Sequence, residues 1–185
     1  RRRSDHEQHD PLRPFHEAGV DQRGLHVIEG ETTTATRLVY DASGNKTIEY
    51  PAKASPLRLE DIPEAYRAAP LFYICTMDHD VPLPEIERIA ALGREMAVDL
   101  GGYGGAHAKP TTRAPGIPDE LPELVRHFHL VKASDEDCRR LTADPDCEDE
   151  ALGRRILDWG ARVFVATRGG RGALILTREH RWEIL

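Results

Sequence analysis

From residue 71 onward, short apolar runs alternate with segments whose apolar residues recur every three or four positions. The runs predict strands at Leu71–Cys75, Met96–Leu100, Phe128–Val131 and Val163–Thr167. The other segments predict helices at Leu59–Ala69, Pro82–Glu95, Pro118–His127, Ser134–Leu141 and Glu148–Trp159. This alternation predicts an α/β core at 51–185, in which a mainly parallel sheet has right-handed crossovers and helices on both faces. Because Leu71–Cys75 is apolar throughout, we expect it to be buried on both faces.

A different pattern comes before this core. Thr32–Tyr40 is rich in threonine and β-branched residues, and Lys46–Tyr50 follows it after a turn sequence at 41–45. The pattern predicts an antiparallel hairpin with neither face strongly apolar, and a further strand at Leu25–Ile28. We expect this small β unit, 24–50, to cover a ligand as a lid or a second subunit as a dimer interface. An edge hairpin of the main sheet is the alternative.

The fourth predicted strand runs into a polar, glycine-rich turn, Thr167–Gly172, and an apolar run resumes directly at Ala173. We therefore expect a strand, a turn and a second strand. Three glycines in four residues let the backbone take positive φ and approach a ligand closely. Consecutive N–H groups in such a turn can form a site for an anion, beside the hydroxyl of Thr167. The alternative is a tight turn that requires glycine for its conformation alone.

Other polar groups follow the predicted strands. Ser134 suits a helix N-cap, and Asp137, three residues later, can complete a capping box without any ligand. The segment Asp78–Asp80 comes just after the first strand of the core. Ligands of open α/β sheets bind at this end of the strands, although a solvated loop is the alternative there.

Composition narrows the range of functions. The chain has 185 residues, a hydrophobic fraction of 39% and a formal net charge of −7. An acidic balance argues against nucleic acid as the main partner. No apolar run approaches the length of a membrane span and no signal peptide opens the chain, so we expect a cytoplasmic protein that does not bind membranes. The cysteines, which lack metal-ligand spacing, are Cys75, Cys138 and Cys147.

Several motifs occur in one characteristic order. His16–Asp21 ends in Gly-Val-Asp, and Asp99 ends a strand before a glycine-rich loop. Lys132–Asp137 has the form K-x-S-x-x-D, and Thr167–Gly172 has the form T-x-G-x-x-G. With the β unit before the sheet, this order resembles the ribokinase-like (PfkB) sugar kinases over nearly the whole chain. In that family the third motif is K-x-N-x-x-E, so Ser134 and Asp137 each shorten a side chain but keep an oxygen.

The resemblance implies a ribokinase-like fold and phosphoryl transfer from ATP to a hydroxyl of a sugar or nucleoside. It implies nucleotide contacts by Ser134, Thr167, Gly169 and Gly172, and an action of Asp137 on Mg²⁺ through bound water. The family's amino-terminal strand and its G-A-G-D motif, which supplies the catalytic aspartate, have no match here. We therefore expect a part of a kinase, incomplete at both ends and inactive alone, in which no residue can be assigned as the catalytic base.

Two other hypotheses remain open. The replacements at Ser134 and Asp137 favour a related protein that binds a nucleotide or sugar without transferring phosphate. The polar hairpin favours a subunit whose 24–50 unit forms a homodimer.

Overall fold

The computed structural model describes residues 12–25, 28–40, 46–75, 77–105, 116–144, 146 and 148–185. The strands are β1 Ala35–Tyr40, β2 Lys46–Ala52, β3 Leu71–Cys75, β4 Glu95–Asp99, β5 Leu130–Ser134, β6 Val163–Thr167, β7 Ala173–Leu176 and β8 Arg181–Ile184. The α-helices are α1 Arg13–Glu17, α2 Glu64–Arg67, α3 Leu83–Ala90, α4 Leu121–Val125, α5 Asp135–Thr142 and α6 Asp149–Asp158. Single-turn 3₁₀ helices lie at Leu59–Asp61, Leu100–Gly102 and Gly169–Arg171. The turn predicted at 41–45, the middle of the strand predicted at Leu25–Ile28, and Cys147 lie outside the described residues.

Strands β3 to β8 form one six-stranded sheet in sequence order. The four strands from β3 to β6 are parallel, whereas β7 and β8 are added antiparallel to them. Each parallel connection carries helix: α3 after β3, α4 after β4, and α5 with α6 after β5. The mainly parallel α/β sheet and the strand–turn–strand at its end are therefore confirmed.

The two faces of this sheet differ in burial. Alternate strand residues, including Ile74, Val98, Val131 and Phe164, form one core cluster with the apolar residues of α3 to α6. On the opposite face Ala97 is buried, but most residues are only partly covered, and Trp182 is 47% exposed. Within the described part of the chain, the packed helices thus cover one face. The prediction of helices on both faces is wrong for these residues.

Strand β3 is the outermost parallel strand, and the prediction that it is buried on both faces is wrong. Among its residues only Ile74 is buried, while Leu71 and Tyr73 are 52% and 55% exposed. The cause is its position, since β3 pairs with β4 alone in the described sheet, and Leu71, Tyr73 and Cys75 on its second face remain exposed. A continuous apolar run indicates a strand suited to burial, but it does not specify the neighbours that would bury it.

Several element boundaries also differ from the prediction, and three of them have a clear local cause. Helix α3 ends at Ala90, before Gly93, which turns the chain at φ +67°. Phe128 lies outside β5 but is 1% exposed, so the apolar run there reports core packing before the strand begins. The segment Leu59–Ala69 splits into two short helical pieces because Pro63 holds Ile62 in an extended conformation.

The hairpin is a separate two-stranded sheet. β1 and β2 pair antiparallel with an irregularity near Ala35, and they are not part of the six-stranded sheet. This confirms the predicted hairpin and excludes an edge hairpin of the main sheet. Ile48 is buried, whereas Leu38 and Val39 are 50% and 42% exposed. The hairpin therefore exposes apolar side chains that a ligand or a second subunit could cover.

Gly153 gives a test of the packing between α6 and β6. A Cβ atom at this position would collide with the ring of Phe164 and a methyl group of Leu176. Helix propensity alone predicts that Gly153→Ala stabilises the protein by about 1 kcal/mol. Because the methyl group has no space, we expect a net loss of about 1–3 kcal/mol in the free energy of unfolding, measured by urea denaturation. A gain in stability would contradict the close approach.

Candidate functional site at the carboxyl edge of the sheet

The four parallel strands end at the same edge of the sheet, and polar residues gather there. Asp99 ends β4, Ser134 ends β5 and Thr167 ends β6. Ser134 and Thr167 are register partners on adjacent strands, so the two motifs that the sequence separates by about 30 positions lie side by side. The structure thus brings the predicted nucleotide-contacting residues together at the edge where α/β sheets bind ligands.

The Thr167–Gly172 turn has an open side and a packed side. Gly169 has φ +57°, and a Cβ atom at Gly169 or Gly170 would meet no atom within 4 Å. The N–H groups of these two glycines donate to no group in the described part of the chain. Gly172, at φ +87°, differs because its Cβ atom would collide with the carbonyl of Ile184. Gly169 and Gly170 can therefore meet a ligand, while Gly172 is required for packing.

Both arginines of the turn are engaged in ion pairs. Arg168 donates to both oxygens of Asp149 at 2.6 and 2.7 Å, and to Glu183 at 3.0 Å. Arg171 donates to Asp135, the first residue of α5, at 2.7 Å, and its side chain is 71% exposed. The turn is thus tied to α5, α6 and β8, and its N–H groups without a partner among the described residues are those of Gly169 and Gly170.

Ser134 and Asp137 form the predicted capping box. The hydroxyl of Ser134 accepts from the N–H of Asp137 at 3.1 Å, and Oδ2 of Asp137 accepts from the N–H and the hydroxyl of Ser134, each at 2.7 Å. Asp137 is 2% exposed and faces Gly105, where any Cβ atom would press against its Oδ1. These contacts explain both residues without a ligand, as the alternative interpretation expected. They also hold the carboxylate beside the turn.

Asp99 and Lys132 form an ion pair that was not among the predicted site residues. Nζ of Lys132 donates to Oδ2 of Asp99 at 2.9 Å, and Oδ1 of Asp99 accepts from the N–H of Gly101 at 3.0 Å. Burial lowers the pKa of Lys132, but the hydrogen bond to Asp99 and the nearby carboxylates outweigh it, so the pKa is raised. An ammonium paired with a carboxylate therefore lies at this edge. The motif K-x-S-x-x-D includes Lys132, but its partner, Asp99, is identified only by the fold.

The loop after β3 is strained and partly buried. Asp78 and His79 have φ +43° and +61°, which residues other than glycine rarely adopt. Asp78 is 7% exposed, and Nζ of Lys53, just after the hairpin, donates to its carbonyl at 2.6 Å and to its carboxylate at 2.9 Å. The ring of His79 packs edge-on against Tyr103 at 5.4 Å. Strain of this kind is maintained by surrounding contacts and is frequent at binding sites.

The pKa values of two groups reflect burial around a second cluster, which consists of Lys53, Asp78, His79 and Asp80. Burial, together with the nearby carboxylates of Asp78 and Asp80, raises the pKa of Tyr50 to about 12. Burial also raises the pKa of Asp80, although the N–H of Met77 and the charge of Lys53 oppose the change. Tyr50 and Lys53 belong to the end of the hairpin, so the hairpin contributes directly to the edge of the sheet. No local motif marks these residues.

Another group of potential metal ligands lies away from the turn. The ligand atoms of Glu87, Glu123 and His127, on α3 and around the end of α4, lie within 4.8 Å of one another. Two of these side chains are exposed, and the group shares no residue with the capping box.

Comparison with known proteins identifies the family. The sequence profile of the pfkB family carbohydrate kinases matches residues 4–184. The chain belongs to the pfkB family. Cytidine kinase from Thermococcus kodakarensis is 26% identical to it over 167 residues, which make up 88% of this chain and 55% of that protein.

Solved structures show the same ribokinase-type fold. Fructokinase from Vibrio cholerae O395, with fructose, ADP and calcium ion bound, has a TM-score of 0.66 at 21% identity, over 94% of this chain and 57% of its own. A pyrophosphate-dependent kinase of the ribokinase family, in complex with sulfate, has a TM-score of 0.67 at 17% identity, over 82% of this chain and 52% of its own. The pfkB chain described here therefore spans about half the length of these relatives. Among its described helices, none has both the length and the apolar character that crossing a membrane requires.

Asp80 gives a pH-dependent test of burial at this edge of the sheet. Because burial raises the pKa of Asp80 above its ordinary value of 3.8, ionised Asp80 lowers the free energy of unfolding at neutral pH. We expect Asp80→Asn to raise the melting temperature at pH 7, since the amide oxygen can still accept from Met77. The gain should disappear as the pH falls through the raised pKa towards 3.8, where the carboxyl of the unmodified protein is protonated in both states.

Calorimetry of the two proteins between pH 3 and pH 7 would measure this difference. The exposed Asp119 provides the control, because Asp119→Asn removes the same charge without relieving burial. A melting temperature that Asp80→Asn lowers at pH 7 would show that attraction to Lys53 outweighs burial.

Proposed function

We propose that the full-length protein transfers the terminal phosphoryl group of ATP to a hydroxyl group of a sugar or nucleoside. The pfkB family membership supports a kinase, and the similar proteins include a cytidine kinase and a fructokinase with bound fructose and ADP. The observation that carries the proposal is the pair of N–H groups at Gly169 and Gly170, which donate to no group in the described part of the chain and lie in the turn that follows Thr167, the register partner of Ser134. The rest of the site is consistent with two substrates at one edge.

The phosphate donor binds to the turn in this proposal. The N–H groups of Gly169 and Gly170 donate to phosphate oxygens, which can approach because neither glycine has an atom near its Cβ position. The hydroxyl of Thr167 lies at the start of the turn, and Ser134 lies beside it on β5. Gly172 acts indirectly, by allowing β8 to pack against the turn.

The residues around α5 fit Mg²⁺ in an outer position. Asp135, Glu136 and Asp137 make the first turn of this helix acidic, next to a turn that would hold phosphates. A divalent cation offsets the repulsion between these carboxylates and the donor when it is bound. Oδ2 of Asp137 already accepts two hydrogen bonds from Ser134, which suits orientation of a water on the metal better than a direct bond.

The hydroxyl acceptor binds to the second cluster in this proposal. Lys53, Asp78, His79 and Asp80 supply both donors and acceptors to the same edge of the sheet, as recognition of a polyhydroxylated molecule requires. During transfer the acceptor oxygen attacks the terminal phosphorus, ADP leaves and a base receives the hydroxyl proton. We assign no residue of this chain as that base, because the resemblance places it in a G-A-G-D motif that the sequence lacks.

Two observations favour alternative functions, and one phosphorylation assay can distinguish them from the proposed function. The mutual engagement of Ser134 and Asp137 favours a family member that binds nucleotide without transferring phosphate. The similarity to a pyrophosphate-dependent kinase makes pyrophosphate an alternative donor. Phosphorylation of a sugar and nucleoside panel with ATP and with pyrophosphate as donors distinguishes transfer from binding and one donor from the other.

Gly169 provides the direct test of donor binding. We expect Gly169→Val to weaken ATP binding of the full-length protein by about tenfold or more, as measured by calorimetry, because the side chain covers the free N–H groups. Gly93 is the matched control, with φ +67° and no atom within 4 Å of its Cβ position, but in the turn before β4. Gly93→Val should cause a similar strain of about 1–3 kcal/mol and leave ATP affinity unchanged. Equal ATP affinities for both variants would remove the turn from the donor site.

The hairpin is proposed to act as a lid or as a two-fold interface. Leu38 and Val39 expose apolar surface, while Lys53 at its end contacts the acceptor cluster. We expect Leu38→Asp to raise KM for the acceptor in a lid, because closure would bury a charge, without changing the sedimentation coefficient. A lower sedimentation coefficient would instead identify a dimer interface. If neither property changes, the hairpin has neither role.

A further inference from the structure

We propose that Arg168 is a positioning residue, which fixes the Thr167–Gly172 turn so that the N–H groups of Gly169 and Gly170 are held ready for the phosphate donor. This inference rests on the proposed function of the turn. It assigns to Arg168 a role through other groups rather than contact with the phosphate.

The guanidinium of Arg168 joins three parts of the fold. Nε and Nη2 donate to the two carboxylate oxygens of Asp149 at 2.6 and 2.7 Å, and Nη1 donates to Glu183 at 3.0 Å. Asp149 is the first residue of α6 and is 7% exposed, while Glu183 lies on β8. Planar, two-pronged pairs of this type fix orientation as well as distance. Arg168 therefore holds the turn against both α6 and β8.

The turn needs such an anchor because its ligand side is made of glycine. Gly169 and Gly170 have no side chains to restrict the backbone, and their N–H groups make no hydrogen bond within the described residues. The bonds from Arg168 N–H to the carbonyl of Gly172, and from Gly172 N–H to the carbonyl of Gly169, close the turn on itself. They do not fix it relative to the neighbouring elements. The side chain of Arg168 does, and thereby reduces the entropy lost when a donor binds.

The ion pairs of Arg168 distinguish positioning of the turn from direct contact with the phosphate donor. Nε, Nη1 and Nη2 of Arg168 all donate to carboxylates, and the side chain is 21% exposed. Arg171 differs, since it is 71% exposed and lies against Asp135 at the start of α5. We therefore expect loss of Arg171 to reduce the salt dependence of ATP binding, as loss of a direct charge contact should. Loss of Arg168 should weaken binding without changing that salt dependence.

The test uses the full-length protein and a rescue of stability. Arg168→Met leaves Asp149 charged and poorly solvated, so we expect a lower melting temperature and ATP binding weaker by roughly tenfold. In the double variant Arg168→Met, Asp149→Asn the stranded charge is removed, and the melting temperature should recover. ATP affinity should remain low, because the turn still lacks its anchor. Arg154→Met is the control, since Arg154 pairs with Glu150 on α6 without contacting the turn.

Recovery of both melting temperature and ATP affinity in the double variant would overturn the proposal, because Arg168 would then only stabilise the fold. An ATP affinity that Arg168→Met leaves unchanged would overturn it as well. If the unmodified protein binds no ATP, the proposed function fails separately. Nuclear relaxation of the Gly169 and Gly170 N–H groups then decides, because the proposal requires them to be ordered in the unmodified protein and mobile in the double variant.

Discussion

The candidate site depends on one geometric constraint, which is that parallel strands end at the same edge of their sheet. Since β3 to β6 are parallel and adjacent in sequence order, the residues after each strand must meet there. This brings the capping box at Ser134 beside the turn that begins at Thr167, and it places the loop at Asp78 on the same edge. The parallel connection of the strands thus brings both halves of the candidate site to one edge.

The parts of the candidate site that could be predicted from the sequence are those formed by residues close together in the chain. The Thr167–Gly172 turn and the Ser134–Asp137 cap each depend on residues within six positions, and the structure contains both. The ion pairs Lys53–Asp78, Lys132–Asp99 and Arg168–Asp149 join residues 25, 33 and 19 positions apart. No pattern within one element specifies such pairs. They follow from strand order, which the sequence alone predicted only as a fold class.

The strands and their mainly parallel pairing could be predicted, but their order in the sheet and the burial of each strand could not. The apolar run Leu71–Cys75 marks a strand correctly, yet β3 lies at the outside of the sheet with Tyr73 more than half exposed. Hydrophobic periodicity reports which side chains tolerate burial, whereas actual burial depends on which elements pack on each face. For the same reason helices α3 to α6 were expected on two faces although their apolar residues share one core.

Ion pairing at the carboxyl edge explains why the proposed donor site combines neutral N–H groups with acidic side chains. Arg168 is neutralised by Asp149 and Glu183, and Arg171 lies against Asp135, so the arginines of the turn already have carboxylate partners. The first turn of α5 adds further acidic side chains beside them. A phosphate that approaches Gly169 therefore meets oriented N–H groups but little net positive charge. If the proposed donor binds here, this pairing of charges predicts that a cation arrives with it, so that metal dependence would follow from how this chain pairs its own charges.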